Sequence, residues 1–148
     1  VIERIISGGQ TGADQGGLAA AKMLGLKTGG TCPKGWRTDV GRDYSLHLEY
    51  GLEEDDSSEY PPRTRKNVLD SDGTVVFGNV NSPGSRLTVS LCAELGKLWM
   101  VNPAAEDLLG FIRQHDIRVL NVAGNRERTN PGIFVRTRDF LVDTLVKV

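Results

Sequence analysis

The stretch ISGGQTGADQGGLAAA, residues Ile6 to Ala21, decides how the rest of the chain is read. Gly8, Gly9, Gly12, Gly16 and Gly17 crowd its middle. Glycine weakens the interior of a helix or strand, so such a cluster has to serve a turn or a close contact. A short apolar run, Ile2 to Ser7, precedes it and predicts a first strand. A helix is predicted from about Gly12 to Leu24. Ala13, Gly17, Ala20, Ala21 and Leu24 recur at helical spacing, Thr11 and Asp14 form a variant capping box, and Gly25 can end the helix. A tight turn that opens a helix presents free N–H groups and partial positive charge, and glycine lets an anion approach them. Gly8, Gly9 and Gly12 are therefore expected to hold an anion, a phosphate above all. Gly16 and Gly17 are expected to let the helix lie close to the sheet. On this reading Gly9→Val removes anion binding and spares the fold.

Outward from that stretch, Lys27 to Thr31 predicts a second short strand, and Cys32 to about Tyr60 keeps no period. Regularity returns with a helix over Pro61–Asp70, a buried strand over Gly73–Phe77 and a helix over Ser85–Leu95. A strand at Leu98–Val101 follows. Asn102 is placed to cap the next helix, with Pro103 at its first position. Arg118–Ala123 predicts a further strand, and the last helix starts near Pro131. Alternating strands and helices argue for an α/β fold: a doubly wound, Rossmann-like, mostly parallel sheet of about five strands with helices on both faces. The first strand is expected at its centre. The expected organisation is one domain over residues 1–148, with an irregular insertion at about 32–60 that reads as a binding loop or lid.

Three glycine-bearing loops then share one edge. SGGQTG follows the first strand, GNVNSPGS the strand ending at Phe77, and GNRERTNPG the strand ending at Ala123. In an open parallel sheet all three lie along the carboxyl edge, where ligands bind. Lys34, Arg37 and Arg126 are the cations placed to help.

The composition narrows the partners. The chain has 148 residues, with 18 basic against 19 acidic side chains, which gives no electrostatic reason to expect nucleic acid or an anionic membrane. No segment approaches a membrane span, and the short apolar start does not read as a secretory leader. Two cysteines sixty positions apart and two histidines show no zinc spacing, so a reduced, cytoplasmic setting without structural metal is expected. Cys32, near Lys34, is a candidate thiolate. The P-loop lysine is missing, and PGSRL is not a GxSxG nucleophile turn. No catalytic set is expected.

Four motifs in order, SGGQTGADQGGL, TGGTCPKGWR, RTRKNVLDSDGTVVF and LNVAGNRE…PGI, resemble the molybdenum cofactor carrier family over nearly the whole chain. The wider group resembles Rossmann-like lysine-decarboxylase-like proteins, which include phosphoribohydrolases and nucleotide-binding sensor domains. The resemblance implies binding of the molybdenum cofactor (molybdopterin), with molybdate or another oxyanion as the simpler ligand. It implies a homo-oligomer, a dimer or tetramer, serving a molybdoenzyme or a cofactor-biosynthesis protein. Carried onto this chain it assigns cofactor binding to Gly8, Gly9, Gln10, Thr11, Gly12 and Asp14, to Lys34 and Gly35, to Gly84 and Ser85, and to Gly124, Arg126 and Glu127. Arg86 departs from the small residue that relatives show there, and the PGGxGTxxE hydrolase motif is absent. A non-catalytic carrier is therefore the first expectation. A nucleoside-monophosphate hydrolase using Glu127 or Asp14, or a nucleotide sensor, stands as the alternative in the same pocket.

Overall fold

The computed structural model describes residues 1–147. β1 (Arg4–Ile6) leads through the glycine turn into α1 (Ala13–Met23), and β2 (Lys27–Gly29) follows. The insertion holds short pieces: β3 (Thr31–Cys32), β4 (Arg37–Thr38), β5 (Gly41–Arg42), α2 (Ser45–Tyr50) and β6 (Glu53–Glu54). Regular alternation then runs through α3 (Tyr60–Asp70), β7 (Gly73–Phe77), α4 (Pro83–Glu94), β8 (Leu98–Val101), α5 (Ala105–Gln114), β9 (Val119–Gly124) and α6 (Ile133–Leu145).

Five strands form one all-parallel sheet in the order β2-β1-β9-β7-β8. The centre belongs to β9, not to β1, which lies second from the edge. β1 is only three residues long, whereas β9 has six and buries Leu120 and Val122 completely. Right-handed crossovers place α1, α5 and α6 on one face and α3 and α4 on the other, as their mutual packing shows. The fold is thus Rossmann-like and doubly wound. When the strands are counted from β7 through β9 and on into β1 and β2, their spatial order becomes 2-1-3-4-5, the flavodoxin-like order. The chain enters a doubly wound sheet midway. Its two ends meet accordingly: Ile2 and Leu145 share the main core, and Val1 and Val146 line one small cleft with them.

Local departures from the expected elements have specific causes. Asn102 sits at φ 45° and does not cap α5, which starts at Ala105. Its side-chain amide pairs both ways with the Gly78 backbone, at 2.8 Å each, where β7 has ended. α4 begins at Pro83, with Ser82 rather than Ser85 at its N-cap. The insertion is more ordered than its sequence suggests. Leu46 and Leu52 bury against Leu18 on α1 and against Cys32, a small core of its own. Gly17 lets α1 approach Val122 on β9, as expected, while Gly16 meets Phe134 and Thr137 of α6 instead of the sheet.

Candidate anion-binding cavity

Helices of a parallel sheet run opposite to its strands, so the N-termini of α1, α3, α4 and α6 all gather at the carboxyl edge. β7 feeds a helix on one face and β9 a helix on the other, which makes the gap between them the switch point where ligands bind. A cavity of about 260 Å³ opens there. Its walls are Gln10 and Asp14 from the first loop, Tyr60, Arg63 and Thr64 from α3, Ser82, Gly84 and Thr88 around α4, and Gly124, Asn125, Arg126 and Thr129 after β9. Asn125 ties the loops together. Its carbonyl accepts from Ala13 N–H, its Oδ1 accepts from Asn79 N–H, and its Nδ2 donates to Asn79 O and Ser82 Oγ.

The cavity floor is a buried ion pair. Arg63 lies 3.3 Å from Asp14, with the two side chains 12% and 4% exposed. Burial pushes the Asp14 carboxyl above its ordinary value, opposed by Arg63 and by the amide of Gln10. Gly8 is needed here, because a side chain at that position would occupy the place of the Arg63 guanidinium. Arg37, Arg63 and Arg126 all stand over the Tyr60 ring, at 4.8, 5.3 and 5.2 Å. Two buried donors, Gln10 Nε2 and Arg63 Nε, have no partner among the described residues. Native proteins leave few such groups.

The expected first anion turn is arranged differently from the sequence reading. Gly9 N–H donates to Ser7 Oγ, Gln10 N–H to Asp14 Oδ2, Thr11 N–H to Gln10 Oε1 and Ala13 N–H to Asn125 O. Those donors are consumed within the protein. Thr11 does not cap α1: its hydroxyl donates to Asp39 Oδ1 at 2.7 Å, and Gly12 is the N-cap. Gly12 also lets the backbone of Asn125–Glu127 pass close by. Gly9, at φ +74°, faces Leu46 and Leu52, so the Gly9→Val clash falls in the small core and not at a ligand face. Amides without an acceptor among the described residues remain at both helix mouths, those of Gly12 and Asp14 at α1 and two more at α4. Pro83 has no N–H, and Gly84 and Ser85 N–H find no acceptor among the described residues. Gly84 borders open space.

Other residues singled out in the sequence separate from the cavity. Lys34 and Gly35 line a different surface cleft with Trp36, Arg42 and Tyr44, and Gly35 N–H is held by Glu54. The insertion folds them away from the rim. Glu127 caps α6: its carboxylate accepts Gly132 N–H at 2.6 Å and Phe134 N–H at 3.0 Å, which accounts for both oxygens. Ser85 is buried beside the cavity, next to Asn125 Nδ2. Arg86 is exposed and takes no part in the lining. The Cys32 thiol is buried, donates to Glu53 O, and is pushed up to about 11, so it is no thiolate at neutral pH. Among the described residues, no three His, Cys, Asp or Glu side chains converge as a metal site.

Tyr60, Arg63, Thr88, Asn125 and Thr129 escaped the sequence reading. A signal for the first two existed. A helix that precedes a parallel strand begins at the carboxyl edge, so the first turn of α3 had to join this rim. Pro61 and Pro62 mark the turn in the sequence, and nothing local marks the side chains flanking it.

Residues 5–145 match the family described as the circularly permutated YpsA SLOG family. The description agrees with the permuted strand order. Among solved structures, the chain is similar to a "putative molybdenum carrier protein" from Syntrophus aciditrophicus SB. The two share 37% identity at a TM-score of 0.86, over 98% of this chain and 95% of that one. No curated protein matches the chain. With the match running through nearly every element and the strand order permuted in the way the description says, the chain belongs to the circularly permutated YpsA SLOG family.

Proposed function

We propose that the carboxyl-edge cavity binds a small phosphate-bearing cofactor, and that this is the molybdenum cofactor, which the protein carries and shields without transforming it. One observation supports this above the rest. The unengaged amide of Gly84, with that of Ser85 next to it, borders a cavity that also holds Arg126, for which no carboxylate partner is found among the described residues. A phosphate or oxo-anion suits that end. At the floor, the partnerless donors of Gln10 and Arg63 beside the Asp14 carboxyl suit the hydrogen-bonding edge of a pterin. The name of the Syntrophus protein points to the same metal. Gly8, Gly9, Thr11, Gly12 and Gly124 serve this site by shaping it, not by touching the anion. A cytoplasmic homo-oligomer that hands the cofactor to a molybdoenzyme or a biosynthetic protein completes the reading. No helix among the described residues is long and apolar enough to cross a membrane.

A second reading, a nucleoside-monophosphate hydrolase or nucleotide sensor, draws on Asp14, whose raised carboxyl lines the same cavity. The two are separated by one set of assays. Cofactor released from a molybdoenzyme is mixed with the purified protein, and its oxidative loss is followed. Protection by the wild type, lost in Arg126→Glu, is the expected result, and no protection by the wild type contradicts the carrier. Release of free base from adenosine monophosphate, abolished in Asp14→Asn, decides for the hydrolase.

A further inference from the structure

Gln10 reaches the cavity from the first loop, and its side-chain amide is buried, with only 4% of the residue exposed. Its Oε1 accepts two backbone N–H groups, Thr11 at 3.0 Å and Asp39 at 2.9 Å. Only an oxygen can accept both, so the amide has one permitted orientation, and Nε2 is the end left without a partner. The second of those donors comes from the insertion, at the turn between β4 and β5. That turn is pinned. Asp39 Oδ1 accepts from Thr11 Oγ1 at 2.7 Å, while its Oδ2 makes no hydrogen bond among the described residues and lies 3.8 Å from Arg128 Nε. Its backbone carbonyl accepts from Arg128 at 2.9 Å. The Asp39 side chain is 4% exposed, a buried carboxylate between the first and third loops.

We propose that Asp39 is a positioning residue for the cavity. It locks the Gln10 amide with its NH₂ group reserved for a ligand, so that this corner selects a hydrogen-bond acceptor: a carbonyl or phosphoryl oxygen, or an unprotonated ring nitrogen. The selection rests on the proposal that the cavity binds a phosphate-bearing cofactor; the locking does not. A ligand that presents N–H or O–H at this corner meets donor against donor and leaves both groups unsatisfied.

The test uses protein labelled with [¹⁵N]glutamine, which reports three side-chain amides, Gln10, Gln15 and Gln114. Gln10 is assigned by the signal lost in Gln10→Glu. In the ligand-free wild type its NH₂ resonances are expected to be sharp and slow to exchange with water. They should broaden and exchange faster in Asp39→Ala, and stay sharp in Asp39→Asn, which keeps the acceptor for Thr11. Binding of the molybdenum cofactor and of adenosine monophosphate is then titrated, with inorganic phosphate as the probe for the α4 end alone. Affinity for whichever larger probe the wild type binds should fall at least tenfold in Gln10→Glu and Asp39→Ala, and less than threefold in Asp39→Asn. Phosphate affinity should stay within twofold in the Asp39 variants, which also shows that they fold, and in Gln10→Glu, where the added charge acts on any anion in the cavity, it should fall less than the affinity for the larger probe does. An unchanged Gln10 signal in Asp39→Ala overturns the locking. A Gln10→Glu variant that binds as the wild type does, or a wild type that binds neither larger probe, overturns the selection. If adenosine monophosphate binds and the cofactor does not, the carrier reading fails while both parts of this inference stand.

Discussion

At the scale of the residue, Asp14 carries the most specific consequence. Burial raises its carboxyl, and Arg63 pulls the other way without prevailing. A raised folded-state value contributes stability that is fully present below the unfolded value of 3.8 and is lost as pH rises through the folded value. Binding follows the same proton. As pH falls through the raised value, the Asp14–Arg63 pair changes from neutral to one positive charge. Affinity for sulfate, which stays a dianion, should rise by about tenfold at the partly screened distances of such a cavity. Isothermal titration across that range checks this, and the rise should vanish in Asp14→Asn. Gly9 shows how residue-scale reading went astray. The need for glycine was legible, but its cause was not. Leu46 and Leu52 come from more than thirty positions away, and nothing local announces them. Gly9→Val should therefore destabilise the fold by at least ~2 kcal/mol through overpacking of that small core, seen as a lowered thermal midpoint.

At the scale of the element, strands and helices of the second half were legible because their periods are strong. The stretches Gly73–Phe77 and Leu98–Val101 emerge as β7 and β8 with the expected bounds. Caps were less legible, since a polar side chain near a helix start has several possible acceptors and donors, and tertiary contacts choose among them. Thr11 went to Asp39, Asn102 to Gly78, and Glu127 became the cap of α6. The last exchange is testable. Glu127→Ala removes two charge-assisted bonds from the first turn of α6 and should cost about 1–2 kcal/mol, or roughly 2–8 °C in thermal midpoint. Phosphate affinity should stay within twofold of wild type. A tenfold loss of binding at unchanged stability would return Glu127 to the ligand. The insertion was illegible as structure because its apolar residues are few and their partners lie on α1, outside any local window.

At the scale of the whole molecule, the carboxyl edge was legible and the strand order was not. Hydrophobic patterns identify strands but do not say which is neighbour to which, so the permutation became visible only in the pairing of β1 with β9. That pairing makes a prediction. Joining the adjacent ends through a short Gly/Ser linker, and opening the chain between the exposed Ser58 and Glu59, restores the conventional strand sequence. Such a permutant should fold with a far-ultraviolet spectrum and a phosphate affinity like those of the parent. Loss of either would argue against the placement of the ends. The central claim concerns where the anion sits, and tungstate is its most direct probe. Anomalous diffraction from a tungstate-soaked crystal should place the metal within hydrogen-bonding reach of the Gly84 and Ser85 amides, facing Arg126. A peak on the Gly8–Gly12 turn, a peak beside Lys34, or an empty α4 mouth at saturating tungstate would contradict the account.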